Sequence, residues 1–253
     1  MAPFENKVVA ISGGASGMGL AVAKLLASRG ALVSIADLQE QALDNAAAEI
    51  EKASSSMSKP AVLTRKLDVR SAQQVEAWIK DTIDTFGQLD GAANMAGVAG
   101  RMGANGIVDQ DEDDWEFTIG VNLTGTMHCV RAQLRVMRPG GSIVNASSGA
   151  GLQGMANASP YVASKHGVIG LSRSVAKEIG PQGTRINCIA PGPINTPLFH
   201  GTKDISQSAV VGITALKREG EPEEVAALVA FLLGDDSRFI TGAVYTIDGG
   251  IVC

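Results

Sequence analysis

The sequence has few of the features that mark several other classes of protein. Its 3 cysteines, Cys129, Cys188 and Cys253, are odd in number and widely separated, which argues against a metal knuckle, a Cys-x-x-Cys couple and a disulfide framework. No apolar run approaches the length of a membrane span, and the amino terminus lacks the apolar core of a signal peptide. We therefore expect a cytoplasmic protein that does not enter a membrane, with Cys129 and Cys188 buried.

Positive charge is also scarce. The 253 residues include 21 Lys and Arg against 26 Asp and Glu, which gives a formal net charge of −5. This balance provides no electrostatic attraction for nucleic acid or for an anionic membrane. No cluster of His, Cys and Asp has the spacing of a metal site, so we expect no metal.

Aromatic residues make up only 4% of the chain, whereas small residues are abundant and suit close packing of helices on a sheet. Short apolar runs alternate with amphipathic segments, the pattern of a doubly wound parallel sheet. We predict an α/β Rossmann fold in which residues 1–253 form a single domain, with helices on both faces of seven parallel strands. The predicted strands are residues 7–12, 31–36, 61–66, 89–93, 141–147, 184–190 and 243–247.

A glycine-rich turn lies between the first strand and the first predicted helix. Gly13, Gly17 and Gly19 have the spacing Gly-x-x-x-Gly-x-Gly, which lets backbone N–H groups approach a pyrophosphate at the start of a helix. Taken alone, the turn is equally explained as a tight connection. Asp37 favours the pyrophosphate site over a tight connection, because it ends the second strand about 20 residues later. An acid at that position accepts hydrogen bonds from an adenosine ribose.

Asp37 also selects between the two nicotinamide cofactors. A 2'-phosphate about 4 Å from this carboxylate would meet roughly 4 kcal/mol of repulsion per unit charge at an effective dielectric constant near 20. Its neighbours Ala36 and Leu38 are uncharged, and the glycine turn carries no basic residue. The sequence therefore predicts NAD rather than NADP.

Tyr161 and Lys165 lie four residues apart in a segment with helical spacing that begins at Pro160. Residues with this separation share a helix face, so the ammonium can lie beside the phenol and lower its pKa. Lowering the phenol pKa from about 10 to about 7 requires that the phenolate be stabilised relative to the phenol by roughly 4 kcal/mol. The pair can also be a half-buried ring with a solvated amine, so it is informative only together with other motifs.

Further candidates follow predicted strands or lie inside a helix. Asp68 and Val69 would touch the adenine and Asn94 would bridge neighbouring strands, although a strand-end turn explains each equally well. Asn122 lies within a predicted helix, where asparagine is mildly unfavourable, which indicates either a special role or a kink.

Together these motifs resemble the short-chain dehydrogenase/reductase family, in its compact branch of about 250 residues. The resemblance covers the whole chain, with the motifs in family order. It departs at Ser12, where threonine is commoner, and at Met95, where asparagine or a small residue is usual. The motifs are residues 12–19, Asp37, Asp68 and Val69, residues 94–97, Asn122, residues 143–148, Tyr161 with Lys165, residues 191–196 and residues 248–250.

The resemblance implies a catalytic role for four residues. Tyr161 would be the general acid/base, and Lys165 would lower its pKa and hold the nicotinamide ribose. Ser148 would orient the substrate oxygen, with Ser147 as the second choice. Asn122 would anchor a water that links Lys165 to solvent.

The resemblance also implies the residues that bind NAD, among which Ile194 and Thr196 would meet the nicotinamide carboxamide. It implies a homotetramer, or a homodimer, and no metal. The implied cofactor-binding residues are Gly13, Ser16, Gly17, Met18, Gly19, Asp37, Leu38, Asp68, Val69, Asn94, Ala96, Gly97, Tyr161, Lys165, Pro191, Gly192, Ile194 and Thr196.

The apolar segment 195–215 is predicted to be a lid that excludes water from the site. We expect His200, which it contains, to face solvent rather than substrate. The substrate implied is a hydrophobic secondary alcohol or ketone, such as a steroid-, terpenoid- or polyketide-like ring, oxidised with NAD. The alternatives are a carbonyl reductase that works mainly in the reductive direction and a non-catalytic NAD-binding regulatory protein.

Overall fold

The computed structural model describes residues 4–55, 61–202 and 205–252. Its centre is a sheet of seven parallel strands in the order β3-β2-β1-β4-β5-β6-β7. The predicted fold class is confirmed, and every strand boundary lies within two residues of the predicted one. The strands are β1 (Val8–Ser12), β2 (Leu32–Asp37), β3 (Val62–Lys66), β4 (Gly91–Asn94), β5 (Ser142–Ala146), β6 (Arg185–Pro191) and β7 (Val244–Ile247).

Helices cover both faces of this sheet because alternate side chains of each strand point to opposite faces. The helices are α1 (Gly17–Ser28), α2 (Glu40–Ala53), α3 (Ala72–Phe86), α4 (Glu112–Ile119), α5 (Thr126–Leu134), α6 (Ser159–Ile179), α7 (Pro197–His200), α8 (Gln207–Ile213) and α9 (Pro222–Leu233). Val9 and Ile11 pack with α1, α2 and α9, whereas Val8 and Ala10 pack with α3, α5 and α6.

Trp78 on α3 is fully buried, and its indole is hydrogen-bonded inside the core. Its Nε1–H donates to Ser34 Oγ on β2 at 2.8 Å. The Ser34 hydroxyl also bonds the hydroxyl of Thr82 at 2.7 Å, and Thr82 donates to the Trp78 carbonyl at 2.9 Å. The three side chains therefore satisfy one another between the sheet and α3.

Asn122 lies in a π-helical turn, Gly120–Gly125, that joins α4 to α5. The Thr126 hydroxyl donates to the Asn122 carbonyl at 2.7 Å, so a side chain satisfies a carbonyl in the widened turn. Single π-helical turns inside helices are frequent at functional sites. The irregularity anticipated at Asn122 is therefore present as a π turn.

Cys129 and Cys188 are buried as predicted, and burial raises the thiol pKa to about 12 at Cys129 and to about 11 at Cys188. Cys253 lies outside the described residues. Within the described ranges, no helix has the length and apolar character needed to cross a membrane. The same ranges contain no group of three or more His, Cys, Asp and Glu side chains able to hold a metal ion.

Candidate active site and cofactor groove

A groove runs along the carboxyl ends of β1, β2, β3 and β4, where an open α/β sheet binds its ligands. It contains most of the cofactor-binding residues that the sequence predicted, together with several that it did not. The groove is lined by Gly13, Ser16, Gly17, Met18, Gly19, Ala36, Asp37, Leu38, Gln39, Leu67, Asp68, Val69, Arg70, Met95, Ala96, Gly97, Val98, Phe117, Val121, Thr196, Pro197 and Leu198.

The glycine turn leaves no room for side chains. A Cβ on Gly13 would lie 2.7 Å from the Ala96 nitrogen, and one on Gly19 would lie 2.1 Å from the Gly13 carbonyl oxygen. Gly13 also has a φ of +67°, a conformation that L side chains rarely adopt. The amino end of α1 therefore meets the groove through bare backbone, an arrangement that fits a pyrophosphate.

Asp37 reaches the groove from the end of β2, and backbone amides hold its carboxylate. Ala15 N–H donates to Oδ2 and Gln39 N–H donates to Oδ1, each at 3.2 Å. Lys66, which pairs with Asp37 in the register of β3, forms an ion pair with Glu40 at 2.8 Å. The carboxylate is thus available to accept hydrogen bonds from ribose hydroxyls.

Arg70 and Phe117 line the groove, although the sequence analysis did not single them out. The Arg70 guanidinium binds the Asp68 carboxylate, with Nη2 at 2.5 Å from Oδ2, and lies 5.1 Å above the centre of the Phe117 ring. The hydrogen bonds from Arg70 lower the pKa of Asp68. This arrangement holds the Asp68 carboxylate in one orientation at the wall of the groove.

Tyr161, Lys165 and Ser148 lie together on a second cavity, which adjoins the groove and shares Met18, Met95, Gly97, Thr196 and Leu198 with it. Burial raises the pKa of the Tyr161 phenol, and a hydrogen bond with Ser148 opposes that rise. The direction is opposite to the lowering expected from the spacing of Tyr161 and Lys165, because burial of the phenol outweighs the hydrogen bond with Ser148.

Lys165 is 4% exposed, and its ammonium donates to the Ala146 carbonyl at 3.0 Å. Its Nζ lies 5.6 Å from the centre of the Tyr161 ring, so the two residues share a helix face as predicted. Burial lowers the pKa of Lys165 to about 8, while the nearby Cys188 thiol acts in the opposite direction. Lys165 is therefore still mostly protonated at neutral pH but loses its proton at a lower pH than an exposed lysine does.

The two candidate serines differ in what their hydroxyls bind. Ser147 is buried, and its hydroxyl donates to the Lys165 carbonyl at 2.9 Å. Ser148 follows the end of β5, accepts from Ala150 N–H at 3.2 Å and bonds the Tyr161 phenol. Ser148, the first choice, is thus the serine next to the phenol.

Asn122 and Asn94 line neither cavity. Asn94 is 2% exposed and bonds Gln133 and Asn145, with Nδ2 to Oδ1 of Asn145 at 2.8 Å, so its side chain bridges β4 and β5 and faces away from the groove. Asn122 Nδ2 donates to the Ser164 hydroxyl at 3.1 Å. A Cβ on Gly97 would lie 3.3 Å from Asn122 Oδ1 and 3.4 Å from Lys165 Nζ, so both side chains adjoin that glycine.

The second cavity is mostly apolar, and helices α7 and α8 of segment 195–215 form one wall. His200 is absent from the lining, as expected, and its Nε2 lies 3.0 Å from Asn195 Oδ1. Residues 203 and 204 of the predicted lid lie outside the described residues. The lining comprises Met18, Met95, Gly97, Ala99, Met102, Ala146, Ser147, Ser148, Gly149, Ala150, Gln153, Met155, Tyr161, Lys165, Pro191, Gly192, Pro193, Ile194, Thr196, Leu198, Phe199, Thr202, Ile205, Val210, Ile213, Asp248 and Ile251.

Comparisons with known proteins agree with this geometry. Residues 13–252 match a family model described as enoyl-(acyl carrier protein) reductase. The chain is 53% identical to the short-chain dehydrogenase/reductase aba4 of Botryotinia fuckeliana, over 99% of this chain and 98% of that protein. It is 36% identical to the cyclohexanol dehydrogenase of an Acinetobacter species, over 97% and 95% of the two chains.

A solved structure shows the same fold. The crystal structure of levodione reductase superposes with a TM-score of 0.92 at 37% identity and covers 97% of both chains. The chain therefore belongs to the short-chain dehydrogenase/reductase family of oxidoreductases.

Proposed function

We propose that this protein is an NAD-dependent oxidoreductase that interconverts a hydrophobic cyclic secondary alcohol and its ketone. The observation that carries the proposal is that Ser148, Tyr161 and Lys165 share an apolar cavity that adjoins the glycine-rich groove. The names of two relatives, cyclohexanol dehydrogenase and levodione reductase, favour a ring as substrate. Because intracellular NAD is mostly oxidised, we assign alcohol oxidation as the direction.

Four residues perform the proton chemistry in this proposal. The Ser148 hydroxyl orients the substrate oxygen, and the Tyr161 phenolate takes the alcohol proton during oxidation, or the phenol returns it to the ketone during reduction. Lys165 favours the phenolate through its charge and holds the ribose hydroxyls. Asn122 anchors the water that passes the proton from Lys165 towards solvent.

When bound, NAD supplies the hydride acceptor for the carbinol carbon. Residues of the glycine turn would hold its pyrophosphate, Asp37 its adenosine ribose, and Asp68 with Val69 its adenine. Ile194 and Thr196 would contact the carboxamide. Bare backbone at Gly13 and Gly19 and the carboxylate of Asp37 give the groove the shape and the hydrogen-bond acceptor that NAD requires.

Segment 195–215 completes the site as a lid. Its Phe199, Ile205, Val210 and Ile213 face the cavity, and their burial against a ring would exclude water from the reacting groups. A cytoplasmic location and a homotetramer, or a homodimer, stay predictions, as does the organisation of residues 1–253 as one domain.

The test is a screen of cyclic and polycyclic alcohols with NAD, in which turnover is measured from the absorbance of the reduced cofactor. Tyr161→Phe should lower turnover by at least about a hundredfold while the Kd for NAD changes by less than about twofold. Tyr245→Phe, on β7 and absent from both cavities, is the matched control and should retain turnover. NAD binding without turnover on any alcohol would favour the regulatory alternative.

A further inference from the structure

Gln153 lines the second cavity from the loop that precedes α6, and the residue is exposed. Its amide makes no hydrogen bond to any of the described residues. A free amide on a mostly apolar wall is a ready donor and acceptor, because such pockets use a small number of polar groups to fix ligand orientation. It belongs neither to the Ser148, Tyr161 and Lys165 group nor to the groove.

The other polar side chains of this wall already have partners. Thr196 donates to the Ile194 carbonyl at 3.1 Å, and Thr202 donates to the Phe199 carbonyl at 2.6 Å. The Asp248 carboxylate accepts the N–H groups of Gly250 and Val252 at 2.9 and 2.8 Å. Among the described lining residues, Gln153 alone is left to bind a ligand away from the reaction centre.

The loop that carries Gln153 is held in place by its neighbours. Asn157, with a φ of 57°, accepts the N–H of Gly103 through its carbonyl at 2.7 Å. This bond joins the loop to the segment that carries Met102, and Met155 adds a second thioether to the same cavity. Gln153 and Met155 are both exposed, so a ligand that enters the cavity can reach the amide without a rearrangement of the loop.

We propose that Gln153 is a second recognition point for the substrate, which is a cyclic alcohol or ketone with a further uncharged oxygen function, a hydroxyl or a carbonyl, away from the reacting carbon. A primary amide donates to a carbonyl and both donates to and accepts from a hydroxyl, so it suits either. Because the amide is neutral, it provides no positive charge to balance a substrate carboxylate. The inference rests on the proposed oxidation of a cyclic alcohol.

The experiment compares two alcohols that differ by one oxygen. With NAD, kcat/KM is measured for the isomers of cyclohexanediol and for the corresponding methylcyclohexanols, in which a methyl group replaces the second hydroxyl. The readout is the kcat/KM of each diol divided by the kcat/KM of the corresponding methylcyclohexanol. Gln153→Leu should lower the ratio for the preferred diol about five- to tenfold, because one uncharged hydrogen bond is lost. Leu152→Met, next to Gln153 on the same loop and absent from the lining of the cavity, is the control and should leave the ratio unchanged.

The outcomes separate the two proposals. Turnover of the methylcyclohexanols by Gln153→Leu at the wild-type rate, with a reduced ratio, supports the second recognition point. An unchanged ratio for every diol isomer overturns it while the proposed function stands. If no alcohol is turned over by the wild-type protein although NAD binds, the proposed function fails and this inference fails with it.

Discussion

Asn122 and Val98 exchange two hydrogen bonds, one in each direction. The side-chain amide of Asn122 donates to the Val98 carbonyl at 2.9 Å, and its Oδ1 accepts the Val98 N–H at 2.8 Å. The π-helical turn of Asn122 is thereby joined to the segment that follows β4, and Gly97 and Val98 of that segment line the cofactor groove.

Replacement of Asn122 by alanine should weaken both binding and turnover. It would leave the Val98 N–H and carbonyl without these partners, so the groove wall would loosen. We expect the Kd for NAD to rise about tenfold and kcat to fall about tenfold or more. Ser164→Ala, which removes one partner of Asn122 and leaves Val98 bonded, is the control. A drop in kcat with unchanged NAD affinity would instead indicate that Asn122 acts only through the proton relay.

The pH dependence of activity should differ between the two directions. Because burial raises the pKa of Tyr161, the phenol is protonated at neutral pH and the small fraction of phenolate grows as pH rises. We therefore expect kcat/KM for alcohol oxidation to rise from about pH 7 to 8, whereas that for ketone reduction stays nearly constant because the phenol remains protonated. Oxidation should level off beyond about pH 8, as Lys165 loses the charge that favours the phenolate. Reduction that accelerates with pH would contradict the role of the phenol.

Asp37 should determine the choice of cofactor. Its carboxylate is held by the amides of Ala15 and Gln39, so it stays in the groove and would repel a 2'-phosphate. We expect the wild-type protein to use NADP at least about a hundredfold less efficiently than NAD, with the preference reduced to about tenfold or less in Asp37→Ser. Glu40→Gln, which removes a nearby carboxylate that pairs with Lys66, serves as the control. Comparable efficiency of the wild-type protein with both cofactors would refute this assignment.

Ser34 should contribute to stability and not to catalysis. Ser34→Ala leaves the buried Trp78 Nε1–H and the Thr82 hydroxyl without a shared partner, which should lower the free energy of unfolding by about 1 to 3 kcal/mol. Denaturant titration measures the change. Ser208→Ala, an exposed hydroxyl on α8, should change it by less than about 0.5 kcal/mol.

The sheet could be predicted because each strand is a short apolar run followed by a turn or a cap, and these signals are local. Ser71, for example, lies directly before the apolar pattern of α3 and caps that helix, and its hydroxyl accepts the Gln74 N–H at 3.3 Å. Local signals of this kind could not predict that Arg70 and Phe117 line the groove. Arg70 follows β3 and Phe117 lies on α4, so only the fold brings them together.

The pKa of Tyr161 shows a second limit of sequence reasoning. The spacing of Tyr161 and Lys165 correctly predicts that they share a helix face, yet it carries no information about desolvation. Burial favours the uncharged form of both side chains, so it raises the pKa of Tyr161 and lowers the pKa of Lys165. For Asn94, the predicted bridge between neighbouring strands is confirmed by its hydrogen bond to Asn145 and by its bond to Gln133, whereas a contact with the cofactor stays a prediction.

The bond from Ser147 to the Lys165 carbonyl has a consequence for how such an enzyme acquires new substrates. A Cβ on Gly151 would lie 2.3 Å from Ser147 Oγ and 2.8 Å from the Lys165 carbonyl oxygen, so α6 packs closely on the segment that follows β5. The part of α6 that carries Tyr161 and Lys165 is thereby anchored to the sheet, while α7, α8 and the Gln153 loop line the same cavity from other segments. We therefore expect that a transplanted loop can alter the substrates accepted and leave the residues proposed for proton transfer in place.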